Sequence, residues 1–340
     1  MAGGVETMRK FQIGVETTVG TAVAATTVMR GWGSSHFDPG VPRNRFEPED
    51  GMLITQTGAW YDISRVTNLP VDSHPATFEQ LKYWFAAGIE GTTTGTQDGT
   101  AGTGYVYQYD LVTNARQVPL TYTIEGGDNQ RVDEMEYSYV EEFTLSGAKG
   151  GEVELSGTWR GRQLTDAEFT TSLIIPATLD VIKFGKCMPY VDTAGGTIGS
   201  SSKPTSLLGF DISVVTGHVP IYSANGQVYF EETDQTSPKV TGTLLWRHDA
   251  TGAAELTSAL TPGTVRLVRL LIQGAALATA GTAYTYKTLN MDMAIEYTEI
   301  PSTSADEMID QIELPFEVVW LTAKSLGAQF IVVDENATYT

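Results

Sequence analysis

Hydrophobic and polar residues alternate most regularly between Glu134 and Arg162, in the run EMEYSYVEEFTLSGAKGGEVELSGTWRGR. Tyr137, Tyr139, Phe143 and Leu145 recur at even spacing, and beyond the Gly-rich turn at 148–151 Val153, Leu155 and Trp159 do the same. Period-2 spacing is the mark of half-buried strands, so the stretch is predicted to be a long β-hairpin with these side chains in its core. The other face carries Glu142, Thr144, Glu152, Glu154, Ser156, Thr158 and Arg160, which leaves it wet or turned toward a partner.

Weaker alternation predicts strands over 52–64, 105–112, 120–125, 207–216, 227–231, 239–247 and 265–273, and a second long pair of 289–298 with 308–321. Helical spacing places Phe78, Leu81, Trp84 and Phe85 on the core side of a helix over 76–87, with Ser73 as its cap and Pro75 in its first turn. A shorter helix over 253–260 is stopped by Pro262 and Gly263. Residues 1–50 combine a Thr/Ala/Val run with Pro39, Pro42 and Pro48, and are predicted to be a surface loop or an arm that orders against a neighbouring subunit. The Gly/Thr-rich segment 91–104 reads as a loop and lacks the Gly-Lys-Ser/Thr ending of a phosphate cradle.

These elements divide the chain into an N-terminal arm or loop (1–50), a first module (51–165), a Gly/Ser-rich connector (166–205) and a second module (206–340). Both modules share an order of parts: a strand, a helix, further strands and a closing long pair. With Gly, Thr and Ser abundant and only 18% charged residues, the class is mainly β with short flanking helices.

Charge narrows the function. The 340 residues carry 41 acidic against 21 basic groups, a net −20, which argues against a surface that grips nucleic acid by its phosphates. The single Cys187 excludes an intramolecular disulfide framework and is consistent with a reducing compartment. The start MAGGVETMRKFQIG does not read as a secretory signal, and the most apolar stretch, 265–278, is broken by Arg266, Arg269, Gln273 and Gly274, so no membrane span is expected.

Candidate chemistry is sparse. His36, His74, His218 and His248 lie far apart and show no metal-ligand spacing; His248-Asp249 has no nucleophile elbow beside it. Carboxylates crowd residues 125–154, where a pair could in principle hydrolyse glycosides, but without a dedicated spacing a solvated strand face accounts for them. No catalytic, cofactor-binding or metal-binding residue is expected, and the chain is not read as an enzyme.

Three stretches resemble the major tail proteins of bacteriophages with long, non-contractile tails, the subunits that stack into the tail tube: KFQIGVETTVGTAVAATTVMRG, GAWYDISRVTNLPVDSHPATFEQLKYWFAAGIEG and LTYTIEGGDNQRVDEMEYSYVEEFTLSGAKGGEVELSGTWRGR. LLGFDISVVTG and KVTGTLLWRHDATGAAELTSAL continue the likeness into the second half. The resemblance implies two tandem β-sandwich or barrel modules of tail-tube type, each with one helix and a long hairpin that joins neighbouring subunits into the wall of a channel. It implies rings, trimers favoured over hexamers, that stack into a tube in the virion tail after assembly in the bacterial cytoplasm. Its partners would be further copies, the tape measure, terminator and distal tail proteins, and double-stranded DNA passing without adhesion. Glu142, Glu152 and Glu154 would then face the lumen. The alternatives are a β-sandwich that binds or cleaves carbohydrate, and a capsid decoration or tail terminator protein.

Overall fold

Strand follows alternation through most of the chain, and the fold is mainly β with two α-helices among the described residues. The computed structural model describes residues 4–46, 54, 57–58, 60–112, 115–299, 303–306 and 309–338. The first half holds β1 (Lys10–Val15), β2 (Thr27–Met29), β3 (Asp38–Gly40), β4 (Arg43–Arg45), β5 (Trp60–Asp62), β6 (Val66–Pro75), α1 (Phe78–Gly88), β7 (Thr96–Gln97), β8 (Tyr105–Leu111), β9 (Tyr122–Gly127), β10 (Val132–Ala148), β11 (Val153–Gly161) and β12 (Leu164–Ala167). The second holds β13 (Cys187–Thr193), β14 (Leu207–Val215), β15 (His218–Ile221), β16 (Glu232–Gln235), β17 (Lys239–Arg247), α2 (Ala250–Ala259), β18 (Val265–Ala276), β19 (Tyr286–Tyr297), β20 (Thr303–Asp306), β21 (Ile309–Val318) and β22 (Ala328–Asp334).

β10 and β11 form the long hairpin, paired from Tyr139 opposite Arg160 to Gly147 opposite Val153. Gly150 turns the chain at φ +81, a left-handed conformation in which a side chain would be strained. Antiparallel pairing then carries a single barrel-like ladder in the order β3-β6-β11-β10-β14-β17-β21-β19-β22-β8-β7, with β18 and β13 continuing from the other side of β19. The first part of β10 leaves the ladder to pair with β9 and β12, and β9 pairs in turn with β1.

The ladder closes around α1. Every residue of this helix is buried. Phe85 lies 5.4 Å from Phe143 on one wall, and 5.4 Å from Tyr109 and 5.1 Å from Phe330 on the other, measured between ring centroids. Trp84 meets Trp159 at 5.3 Å and Trp32 at 5.6 Å, while Phe78 and Leu81 are fully enclosed. One apolar cluster runs unbroken from Phe11 in β1 to Val332 in β22, so the two halves share a core.

The hairpin core is less uniform than even spacing suggests. Phe143, Leu145, Val153, Leu155 and Trp159 enter the main core, but Tyr137 and Tyr139 form a separate cluster with Phe230. Two irregularities cause the change of side: Tyr137 adopts φ +52 where the register slips between Met135 and Ser138, and a second slip lies between Val140 and Glu142. Each extra residue inverts the parity of the strand. Val140, not Tyr139, therefore shares the core with Phe143.

Other expectations shift as well. Ser73 and Pro75 belong to β6, and α1 begins two residues later behind Thr77, whose side chain makes no capping bond. Within 1–50, residues 10–15 and 27–29 are strands, and Phe11, Ile13, Met29 and Trp32 are core residues; the buried polar partners Gln12 and Glu16 hide this in the sequence. The pair expected from 289–298 and 308–321 shrinks to three residues, because β19 takes β18 along its length and β21 takes β17. Residues 227–231 hold no strand, and of the strand expected over 52–64 only Trp60–Asp62 forms one, much of the remainder, like Met308, lying outside the described residues. α2 differs from α1: apart from Gly252 and Glu255 it stays unburied, since its sequence ATGAAELTSA offers one large apolar side chain.

Two neighbouring strand pairs nonetheless resemble each other locally. Phe143-Thr-Leu-Ser in β10 matches Phe210-Asp-Ile-Ser in β14, and Ser156-Gly-Thr-Trp-Arg in β11 matches Thr241-Gly-Thr-Leu-Leu-Trp-Arg in β17. In both, the strand glycine is required by crowding: a Cβ on Gly157 would meet the Glu142 carbonyl and Trp84, and one on Gly242 the Asp211 carbonyl and Phe316. β10 and β14 pair with each other, and successive antiparallel steps make β11 and β17 run in opposite directions. The related strands thus face each other across a local two-fold axis.

Candidate functional site

The outward face of the ladder between β11 and β21 is where the acidic hairpin residues stand. Register fixes three rows of side chains across it. Thr158, Glu142, Val215 and Lys239 form one row, and Ser156, Thr144, Ser213, Thr241 and Glu317 the next. Glu154, Ser146, Asp211, Thr243 and Pro315 form the third. Residues on one face of adjacent strands sit within reach of one another, so the middle row is a continuous band of short hydroxyls crossing both halves of the chain.

Glu142 and Glu154 are exposed on this face, and Glu154 accepts a hydrogen bond from the Ser73 hydroxyl of β6. Glu152 is exposed beyond the end of the ladder, where its backbone bridges to Lys183. Lys239 is the sole cation in the three rows and lies 3.6 Å from Glu317. Arg160, at the margin, is held 2.8 Å from Glu141 and also donates to Asn68. Burial pushes the Glu141 carboxyl above the usual range, and the Arg160 guanidinium opposes that rise. The described basic groups of the face are thus engaged by neighbours, while Glu142 and Asp211 remain exposed.

The second half supplies this face from β14, β17 and β21, not from β19 as the paired alternation of 289–298 suggests. Asn290 and Asp292 of β19 are buried, and Asp292 is gripped at 2.7 and 2.6 Å by Arg269. β19 has partners on both sides, and Leu277 and Tyr284 pack over the neighbouring β22 at Ile331 and Val333, which removes water from that side. Asp211, Ser213 and Thr241 escaped notice in the sequence, although the match of FDIS to FTLS, and of VTGT to LSGT, marks them as counterparts of the hairpin face.

The histidines lie apart from this face. His218 is buried beneath α1, with Nε2 3.1 Å from the Gly88 carbonyl, and desolvation lowers its pKa to about 4 despite that hydrogen bond. The folded chain therefore excludes a proton that the unfolded chain binds below pH 6.5. Stability that is complete above that pH falls as the solution is acidified toward 4, by about 3 kcal/mol at roughly 1.4 kcal/mol per unit. His218→Gln should reduce the loss of denaturation midpoint between pH 7 and pH 4 relative to the unaltered chain; an equal loss in both would assign the acid sensitivity elsewhere.

A cavity of 560 Å³ between Leu111, Val240, Val318, Trp320 and Ala328 is lined without carboxylate, histidine or cysteine. No group of three or more His, Cys, Asp and Glu residues suited to a metal ion occurs among the described residues. No protein-family model matches the chain, and no curated protein matches it closely enough to count as a relative.

Proposed function

We propose that this chain is a structural subunit of a bacteriophage tail tube, whose copies join into rings that stack around a channel for DNA. The observation that carries the reading is the polar face from β11 to β21, with its hydroxyl band, its exposed Glu142, Glu154 and Asp211, and its engaged cations. A phosphate backbone sliding over such a wall meets repulsion and short neutral dipoles rather than Lys and Arg minima. One border of the face supports assembly through strand pairing. β6 is covered by β3 only at 66–68, and among the described residues no other strand pairs with its outer side from Leu69 onward, which leaves that stretch as an edge. Exposed edges are templates for pairing with another chain.

The local two-fold relation of β10–β11 to β14–β17 bears on ring number. Tandem modules that alternate around a ring would present the same strand direction, whereas these run oppositely. The opposed directions weigh against these two strand pairs alternating as equivalent units around a ring, and the trimer stays a proposal beside the hexamer.

Negative-stain microscopy of the concentrated protein tests the assembly: stacked rings or tubes are expected, and a persistent monomer would overturn it. For the channel wall, Glu142→Lys, Glu152→Lys and Glu154→Lys together should leave tube formation intact. They should slow DNA ejection by roughly an order of magnitude, through new phosphate contacts. Unaltered ejection from assembled particles would remove the hairpin face from the lumen.

A further inference from the structure

Apart from the polar face, one concavity combines unused hydrogen-bond donors with an apolar floor. It lies where the start of β1, the 35–39 segment and the β9–β10 turn converge, has a volume of 360 Å³, and is lined by Arg9, Phe11, Ser35, Phe37, Asp128 and Arg131 among others. Its charges are unequally engaged. Arg131 is bound to Asp133 at 2.7 Å, and one oxygen of Asp128 accepts the backbone N–H groups of Gln130 and Arg131 inside the turn. Those turn bonds, with help from the Arg9 charge, hold the Asp128 carboxyl below its ordinary range. Arg9 is different: its Nη1 is shielded from solvent and has no hydrogen-bond partner. The Ser35 hydroxyl, on a residue only 2% exposed, is likewise buried and unpartnered.

A buried donor without an acceptor is destabilising, more so when charged, and two such residues in the lining of one concavity would be satisfied by an acceptor that arrives from outside. The required group is planar, anionic and able to accept from a guanidinium fork and a hydroxyl together, which is the chemistry of a carboxylate. The remaining wall sets the rest of the ligand. Phe11 and Phe37 meet edge to face at 5.4 Å, with Pro39 and Leu164 beside them, and these offer an apolar surface for a flat or branched body. The two arginines and two aspartates of the lining balance, which suits a single negative charge better than a multiply charged phosphate.

We infer that this concavity binds a monocarboxylate attached to an apolar or aromatic body, with Arg9 and Ser35 holding the carboxylate and Phe11 and Phe37 the body. The carboxylate has two sources, a free small acid or an acidic residue flanked by an apolar one on another copy of this chain. Recognition of the carboxylate stands independently of the tube reading, since Arg9 and Ser35 belong to none of the strands that form the polar face; the choice between its two sources rests on that reading.

The probe is 4-fluorophenylacetate, observed by ¹⁹F line broadening against the full chain in dissociated and assembled form, with 4-fluorobenzyl alcohol as the uncharged counterpart. Saturable broadening by the acid alone is expected, weakened tenfold or more in Arg9→Gln and in Ser35→Ala. Binding to both forms identifies a free acid as occupant. Binding confined to the dissociated form, together with a tenfold rise in the concentration that Arg9→Gln needs for assembly, identifies a neighbouring copy. Equal broadening by the alcohol, or undiminished binding in both variants, would overturn the site. So would absence of binding when Arg9→Gln also assembles normally.

Discussion

Trp84→Ala is expected to lower the stability of the chain by about 3–5 kcal/mol, the range for truncating a fully enclosed aromatic. The indole stands in α1 with no exposed surface, edge to face with Trp32 at 5.6 Å and with Trp159 at 5.3 Å, and Trp159 continues the stack to Tyr122 at 5.6 Å. Alanine would open a cavity at the point where α1, β11 and the 30–32 segment meet, and the crowded Gly157 beneath the ring has no side chain with which to refill it. Trp84→Phe supplies the control. The Trp84 Nε1 is buried and makes no hydrogen bond, so phenylalanine forfeits volume but no polar contact, and a loss below about 1.5 kcal/mol is expected. Denaturant unfolding of the three proteins decides the matter, and a phenylalanine variant as weak as the alanine variant would show that the N–H has a partner after all.

A second large effect is expected at the buried ion pair of Lys82 and Asp334. The two side chains are 1% and 0% exposed, 2.7 Å apart, and join α1 of the first half to β22 at the far end of the chain. Desolvation lowers the Lys82 pKa, and the Asp334 charge and hydrogen bond oppose it; the ammonium also lies 4.6 Å from the Tyr107 ring. Removing one member strands the other charge. Lys82→Met should therefore destabilise by about 3–5 kcal/mol at neutral pH, whereas Lys82→Met with Asp334→Leu should return close to the original stability. A double variant no better than the single would refute the account.

How much of this was legible in the sequence depended on whether a pattern was local. The β10–β11 hairpin, β14, β17 and α1 announce themselves because alternation or helical spacing persists over several residues and the burial that enforces it is continuous. The exposed glutamates of the hairpin were readable for the same reason. The sidedness of Tyr137 and Tyr139 was not, since two slips in register leave no trace in composition. Nor was the role of residues 10–32. There the core contribution rests on buried polar residues whose partners are distant: Glu16 accepts from Thr121, Thr123 and the Tyr137 amide, and Glu125 from Gln12, Ala25 and Thr170. Such residues read as loop until their partners are known. Partner choice among strands was equally hidden, because alternation states that a strand has a buried face and does not state who lies beside it. That is why alternation matches β19 to β21 along its length, although its long partners are β18 and β22.

The pairing of β8 with β22 sets a timetable for synthesis. β8 receives its long partner only from Ala328–Asp334, the last strand described to leave the ribosome. At ordinary elongation rates the wait is on the order of ten to forty seconds. Throughout it, the aromatic side of α1 that Phe330 will cover has no lid, and β8 offers an unfilled edge. A nascent chain in that interval is a substrate for holdases and proteases, and one that stops before β22 never leaves it. Completion of the core therefore waits on β22, and a chain lacking Ala328–Asp334 is expected to be cleaved faster by protease than the full chain.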